Sequence, residues 1–470
     1  GRDMEGYTTN YVNLIADNLR ERYDNGFPIL KELIQNADDA KARTFLFARH
    51  AGFTDAVHPL LKGPGLWFFN DGEFKDSDGR ALRSFGINSK AGDATAIGKF
   101  GLGMKSVFHL CEALFYLAWD GARIHREGLS PWKQEGANPH PEWEEIPNQD
   151  WRNLEDLARP LAPAGAASWF LLWIPLRRLE HLGRPNGQET GAIINRFPGD
   201  DTQQLAFLEA VGLDSELAQI LPLLRHLERI EHCGDTQRFT LQLQAEQRLL
   251  AAGKGICNAG EIHANGRRLL RYAGLRGADG RDRSVFADLK AREEWPRSWY
   301  RDENGHERQA QDKTAPEGAV LFCAGQAPAT RSLLHWAVFL PLEQGGERLG
   351  VKDAEIAHTL ILHGQFFIDA GRKKIHGLET LHQEPPAIDP TALDDALLRH
   401  AWNRHLAQKV LLPLVIPALE HYVAEARLRE DDCTVLTQAL ADSQWFARFR
   451  SYACNTDDWV RVLAPDAKPA

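Results

Sequence analysis

The stretch Lys31-Glu32-Leu33-Ile34-Gln35-Asn36-Ala37-Asp38-Asp39-Ala40 decides the reading of this chain. Ile29, Leu30, Leu33, Ile34 and Ala37 recur at helical spacing and predict a helix over about 28–42 with one buried stripe. Asn25-Gly26 breaks the pattern ahead of it, and Pro28 suits a first helical turn. Glu32 and Asn36 are four apart, so they project from one face, and Asp39 and Ala40 continue that face. A carboxylate stacked on a carboxamide, on a helix held by its opposite side, suits a metal–nucleotide site. The amide oxygen is a hard ligand of the kind Mg²⁺ prefers. The carboxylate can orient and deprotonate a water. Alone, Glu-x-x-x-Asn is more simply a solvated face; the weight rests on the full string and on what lies around it.

Upstream, Tyr11 to Tyr23 carries a second helical pattern. Downstream, Thr44–His50 and Leu66–Phe69 read as strands, and Asn70-Asp71-Gly72 as a turn. Residues 73–103 hold six glycines and predict a mobile loop that ends in a helix near Met104. Within it, Gly98, Gly101 and Gly103 would let backbone N–H groups approach phosphate oxygens, and the helix that follows would aim its positive end at the same anion. Lys99 or Lys105 would add a point charge. Gly101-Leu102-Gly103-Met104-Lys105-Ser106 is no Walker A sequence, because Met104 stands where that loop needs glycine.

The string 31–40 resembles the N-box of the GHKL superfamily, which includes gyrase, histidine kinases and the heat-shock-90 chaperones. Within it, Glu-Leu-Ile-Gln-Asn-Ala-Asp-Asp-Ala at 32–40 is closest to the sacsin-like branch. Gly98-Lys99-Phe100-Gly101-Leu102-Gly103-Met104-Lys105-Ser106-Val107-Phe108-His109 is similar to the phosphate-binding box of that branch. The resemblance implies that Glu32 is the catalytic base and Asn36 the Mg²⁺ ligand, with Asp39 and Ala40 lining the nucleotide pocket. Lys99, Phe100, Gly101, Leu102, Gly103 and Lys105 would then surround the phosphates of ATP. In the family, an Asp-x-Gly after a strand binds the adenine amine. Registering on Gly72 puts Asn70 in that column with Asp71 beside it, and either offers an acceptor; an Asx turn is the plainer role for the other. Phe85 to Gly92 resembles the start of an ATP lid, in which Lys90 reaches phosphate or stays solvated. Ser168 is the nearest hydroxyl to the family's pocket-touching Thr, out of register with it. His109 reads as a packed or capping residue.

The implied architecture is α/β (α+β): a Bergerat-type α/β sandwich over 4–180, helices on one face of a mixed sheet. A connecting helical segment would follow over 181–245, a second α/β domain over 246–388, and a helical region with a flexible tail over 389–470. Glu216–Ile230 reads as a helical pattern that Pro222 kinks or restarts as a second helix, Trp169–Leu176 as a closing strand, and Ala319–Cys323, Ala337–Pro341 and Gln365–Ile368 as strands. The final helices would be interrupted at Pro413 and Pro417. Pro222 to Ile230, His363 to Lys374 and Trp402-Asn403-Arg404 also look sacsin-like; Arg372, Lys373 and Lys374 read more simply as a solvated basic loop, or one of them takes the place of the basic residue that reaches the γ-phosphate in chaperone relatives.

The bulk properties agree with a nucleotide enzyme of the cytoplasm. Hydrophobic residues at 43% supply a core, and a net charge of −10 argues against a non-specific grip on nucleic acid. Six scattered cysteines without a Cys-x-x-Cys pair argue against zinc and disulfides, and no apolar run reaches the roughly 18 residues of a membrane span. Gly1-Arg2-Asp3 ahead of Met4 reads as a cloning remnant, with no signal peptide. The expected activity is Mg²⁺-dependent ATP hydrolysis, with lid closure driving conformational change or dimerisation in a chaperone-like or defence role. The rival readings are a slow nucleotide-sensing clamp and a DNA-associated ATPase like the MORC proteins.

Overall fold

The structure is a computed structural model that describes residues 11–21, 24–76, 78–79, 82, 103–134, 138–183, 191–249, 255–278, 299–301, 307–309, 317–326, 332–338, 340–341, 347–349, 356–368, 373–381 and 395–442. It is a mixed α+β fold whose chain forms two compact units, Gly1–Asp214 with Leu224–Leu241, and Ser215–Leu223 with Gln242–Ala470.

In the first unit, helices α1 (Tyr11–Glu21) and α2 (Phe27–Asp39) precede a sheet of strands β1 (Thr44–His50), β2 (Gly65–Asn70), β3 (Leu114–Trp119), β4 (Ile124–Leu129), β5 (Trp169–Pro175) and β6 (Arg229–Cys233). Their order is β4-β3-β5-β2-β1-β6. The β1–β6 pair is parallel; β1–β2, β2–β5, β5–β3 and β3–β4 are antiparallel. Every residue of β2 and β5 is buried, as expected of unbroken apolar runs covered on both faces. Leu46, Trp67, Phe69, Phe115, Trp169, Leu171 and Trp173 turn one face toward Leu60 and Leu61 of α3 (Pro59–Lys62) and toward Trp151 and Leu154 of α4 (Asn148–Ala158). The other face carries Phe45, Phe47 and Phe68, whose rings lie 5.9–6.2 Å apart, and Phe170, on which Phe74 stacks at 6.0 Å. The expectation of helices on one face is thus corrected: α4 covers the aromatic face, and the buried stripe of α2 lies outside that cluster.

Helix α2 buries Ile29, Leu30, Leu33, Ile34 and Ala37, the stripe the spacing predicts, together with Asp38. It stops two to three residues earlier than expected. Lys41 adopts a left-handed conformation with φ 60°, and its N–H reaches Asp38 O at 2.9 Å while Ala42 N–H reaches Ala37 O at 3.0 Å. That pairing is a Schellman-type end, here made by a lysine.

The helix expected over Glu216–Ile230 is also corrected. It runs over Leu213–Ile220, a 3₁₀ turn follows at Leu221–Leu223 around Pro222, and Ile230 belongs to β6. Proline has no N–H to continue the ladder, and the backbone beyond it is captured by α2, as described below.

In the second unit, Ile256–Ala264, Arg267–Ala278, Glu317–Gln326 and Ile356–Gly364 pair antiparallel in that order, and Ser332–Val338 joins the last in parallel. Gln365–Ile368 contributes one isolated bridge, Ile368 to Ile375, rather than a strand. The core cluster there draws Val320, Phe322, Leu360 and Leu362 against Leu406, Leu411, Val415, Leu419 and Tyr422. Pro413 sits in a 3₁₀ turn after a π-helical stretch at Leu406–Leu411. Pro417 does not interrupt, because it falls in the first turn of Val415–Ala426, where N–H groups lack helical partners. Two strings singled out above meet here. Asn403 accepts from Phe367 N–H at 2.7 Å and donates to the Phe367 and His376 carbonyls at 2.8 and 2.9 Å, while Trp402 Nε1 donates to Gln365 O at 3.0 Å. Their role in this unit is to hold that turn.

Candidate functional site

Helix α2 organises the site. On one side it packs against the 3₁₀ segment Gly103–His109, the downstream end of the glycine-rich box. At its C-terminal end it meets the turn after β2. Glu73 N–H donates to Ala40 O at 2.7 Å, and a Cβ on Gly72 would lie 2.8 Å from Ala40 Cβ. Only glycine allows that approach. Ser168 closes the group by donating its Oγ–H to Gly72 O at 2.8 Å. Ala40, Asn70, Gly72 and Ser168 are therefore one cluster.

Glu32, Asn36 and Asp39 are half-buried on α2. The Asn36 Nδ2 is enclosed and has no hydrogen-bond partner among the described residues. Asn70 is buried, and its Oδ1 accepts Gly72 N–H at 3.0 Å, an Asx turn. Asp71 turns elsewhere, with Oδ1 accepting from Arg43 and Thr44 N–H at 2.8 Å each, so it ties the α2–β1 connection to the end of β2. Lys105 and Ser106 are 5% and 2% exposed, so neither is a solvated side chain. Lys90, Lys99, Phe100, Gly101 and Leu102 lie outside the described residues, as does Arg372. Lys374 pairs with Glu379 at 3.3 Å. No cluster of three or more His, Cys, Asp or Glu among the described residues is arranged to hold a metal.

Two residues not foreseen as part of the site position it. Asp38, 2% exposed, accepts from the consecutive N–H groups of Arg225, His226 and Leu227 at 2.7–3.1 Å. A carboxylate receiving three backbone donors fixes α2 against the chain entering β6. Asp38→Ala strands those donors and is expected to cost about 2 kcal/mol, read as a lower urea midpoint; an unchanged midpoint would remove Asp38 from this role.

The second is Arg177, fully buried beyond β5. It pairs with the equally buried Glu112 and donates to the carbonyls of Phe108, His109, Cys111 and Arg196 at 2.5–3.0 Å. Glu112 also accepts from Trp132 Nε1 at 2.5 Å and Ile193 N–H at 3.0 Å. The pair thereby clamps the end of the 103–109 segment onto the closing strand. Burial also pushes the neighbouring Cys111 thiol well above its ordinary range, so it stays protonated.

Residues 8–122, which hold α1, α2, β1, β2, the 103–109 segment and β3, match the family model described as Sacsin domain. Over 103 residues the chain is 38% identical to Sacsin of Homo sapiens. The N-terminal region is sacsin-like. The aligned stretch covers 20% of this chain and 2% of that protein, so the chain spans a small part of the relative's length. Asp38 and most of its partners' environment illustrate the division: the sacsin-like region supplies the carboxylate, and Arg225 to Leu227, outside the matched residues, supply the donors.

Proposed function

We propose that the sacsin-like region is a GHKL-type site that binds ATP with Mg²⁺ and hydrolyses it. The observation that carries this reading is the Asn36 amide, on a helix set between the end of a glycine-rich box and the turn after β2. The amide also carries an oxygen, the kind of ligand a hard cation prefers, and its nitrogen has no protein partner among the described residues. Bound there, Mg²⁺ would neutralise phosphate charge. Asn36 holds the metal, the 98–105 box the phosphates, and the turn at 70–72 with Ser168 the base. Glu32, one turn before Asn36 on the same face, orients the attacking water and takes its proton. Positioning and charge stabilisation supply most of the rate. The resemblance extends this to closure of a lid over the nucleotide, driving conformational change or dimerisation in a chaperone-like role.

Titration of the protein with a non-hydrolysable ATP analogue tests the site. Binding should require Mg²⁺, and Asn36→Ala should weaken it by roughly tenfold to a hundredfold, the range for loss of a charge-assisted ligand contact. No binding in the presence of Mg²⁺ would end this reading.

A further inference from the structure

A cavity of about 50 Å³ lies between α3, β3, the turn that follows β4 and the segment leading into α4. Its buried walls include Leu60, Phe115, Leu129, Trp143 and His140, which stacks on Trp143 at 3.6 Å. At roughly 10–15 Å³ for each water-sized group such a space admits about four, whereas a benzene ring takes about 150 Å³. It suits a short aliphatic branch and excludes an aromatic ring. Leu60, Phe115 and Trp143 belong to the aromatic cluster on the α4 face of the sheet, so the cavity is separate from the α2 site.

Two opposite charges stand at its mouth, and neither has a counter-charge among the described residues. Lys133 lines the cavity, is exposed and forms no ion pair there. The turn Pro131–Gln134 holds it beside Ser130, whose carbonyl accepts Lys133 N–H at 3.3 Å. Ser130 also lines the cavity, and its Oγ is enclosed with no hydrogen-bond partner among the described residues. On the segment leading into α4, the exposed Glu144 accepts at Oε1 from Asn138 Nδ2 at 3.0 Å. Asn138 Oδ1 in turn accepts His140 N–H at 2.9 Å, so the Glu144 carboxylate is held by the wall of the cavity itself.

We propose that this cavity binds a free aliphatic α-amino acid, its side chain in the apolar chamber, its carboxylate at Lys133 and Ser130, and its ammonium at Glu144. A valine or leucine side chain matches the space, and a phenylalanine ring exceeds it. A zwitterion satisfies both charges at the mouth, whereas a simple carboxylate, a simple amine or a peptide terminus satisfies only one. The few polar groups around an apolar chamber then fix the orientation of the ligand.

Calorimetric titration of the full chain with L-leucine, L-phenylalanine, isovalerate and isopentylamine separates the contributions. Leucine should bind saturably, and phenylalanine more weakly by roughly tenfold or more. Isovalerate lacks the ammonium and isopentylamine the carboxylate, so each should also bind more weakly than leucine by roughly tenfold. Lys133→Ala and Glu144→Gln, both at exposed positions, should each weaken leucine binding by roughly tenfold, the second keeping an acceptor for Asn138. Absence of saturable leucine binding at millimolar concentration would overturn the proposal. So would phenylalanine or isovalerate binding as tightly as leucine, or leucine affinity unchanged in either variant.

Discussion

Glu32→Ala is expected to lower ATP turnover by about 10²–10⁴-fold, the contribution of a positioned general base, while ATP affinity changes by less than about threefold. Glu32 is half-buried and sits one turn before Asn36, so under the proposed function its carboxylate would reach a water next to a metal held there. Its removal leaves the α2 stripe and the Asp38 bonds untouched, since both belong to other faces of the helix. Steady-state turnover together with analogue binding separates the outcomes. Turnover that survives would place the base elsewhere. Wild-type protein that binds ATP and turns it over no faster than the variant would be a nucleotide-sensing clamp. Glu32→Gln is the isosteric control and should behave like alanine if proton transfer is what Glu32 contributes.

The other large effect concerns stability. Arg177→Ala should cost about 3–5 kcal/mol, because it leaves a buried carboxylate without its counter-charge. Glu112 has a side-chain exposure of 1%, and the two neutral donors it would retain, from Trp132 and Ile193, do not replace a guanidinium. Four carbonyls lose their donor as well. Denaturation in urea should show a lower midpoint at an unchanged slope. Replacing both partners at once, Arg177→Met with Glu112→Leu, should recover part of the loss, since no lone charge is then buried. A cost below about 1 kcal/mol for Arg177→Ala would mean that water reaches Glu112, contrary to its burial. Three of the four carbonyls sit at or just past the end of the 103–109 segment, so analogue binding should weaken in Arg177→Ala even where the protein remains folded.

What could be read without coordinates was local. The α2 stripe follows from helical spacing, and β1, β2 and β5 from short aromatic runs, within a residue at either end. The end of α2 was misplaced because a lysine, not a glycine, occupies the left-handed position. The hairpin Ile256–Ala264 and Arg267–Ala278 carries no clear apolar run, because its strands mix polar and apolar residues. Its signal was nonetheless present in Asn265-Gly266, both at positive φ and joining the two strands in a two-residue turn. The positioning contacts were not readable at all. Asp38 stands inside the N-box-like string, where it looks like another pocket acid. Its partners lie 187 to 189 residues away, and backbone N–H groups leave no mark in a sequence. Glu112 and Arg177, 65 residues apart, look like ordinary surface charges until both are seen to be dry.

Strand β4 ends the sheet of the first unit among the described residues, and it presents His125, Arg126 and Glu127. His125 pairs with Asp120 at 2.6 Å, Glu127 accepts from Tyr116 at 2.9 Å, and Arg126 reaches Asn148 at 3.0 Å. A rim so densely charged resists addition of a foreign strand, which would have to strip water from these groups to zip onto the exposed amides. Self-association of this protein by strand exchange along that border is thus disfavoured.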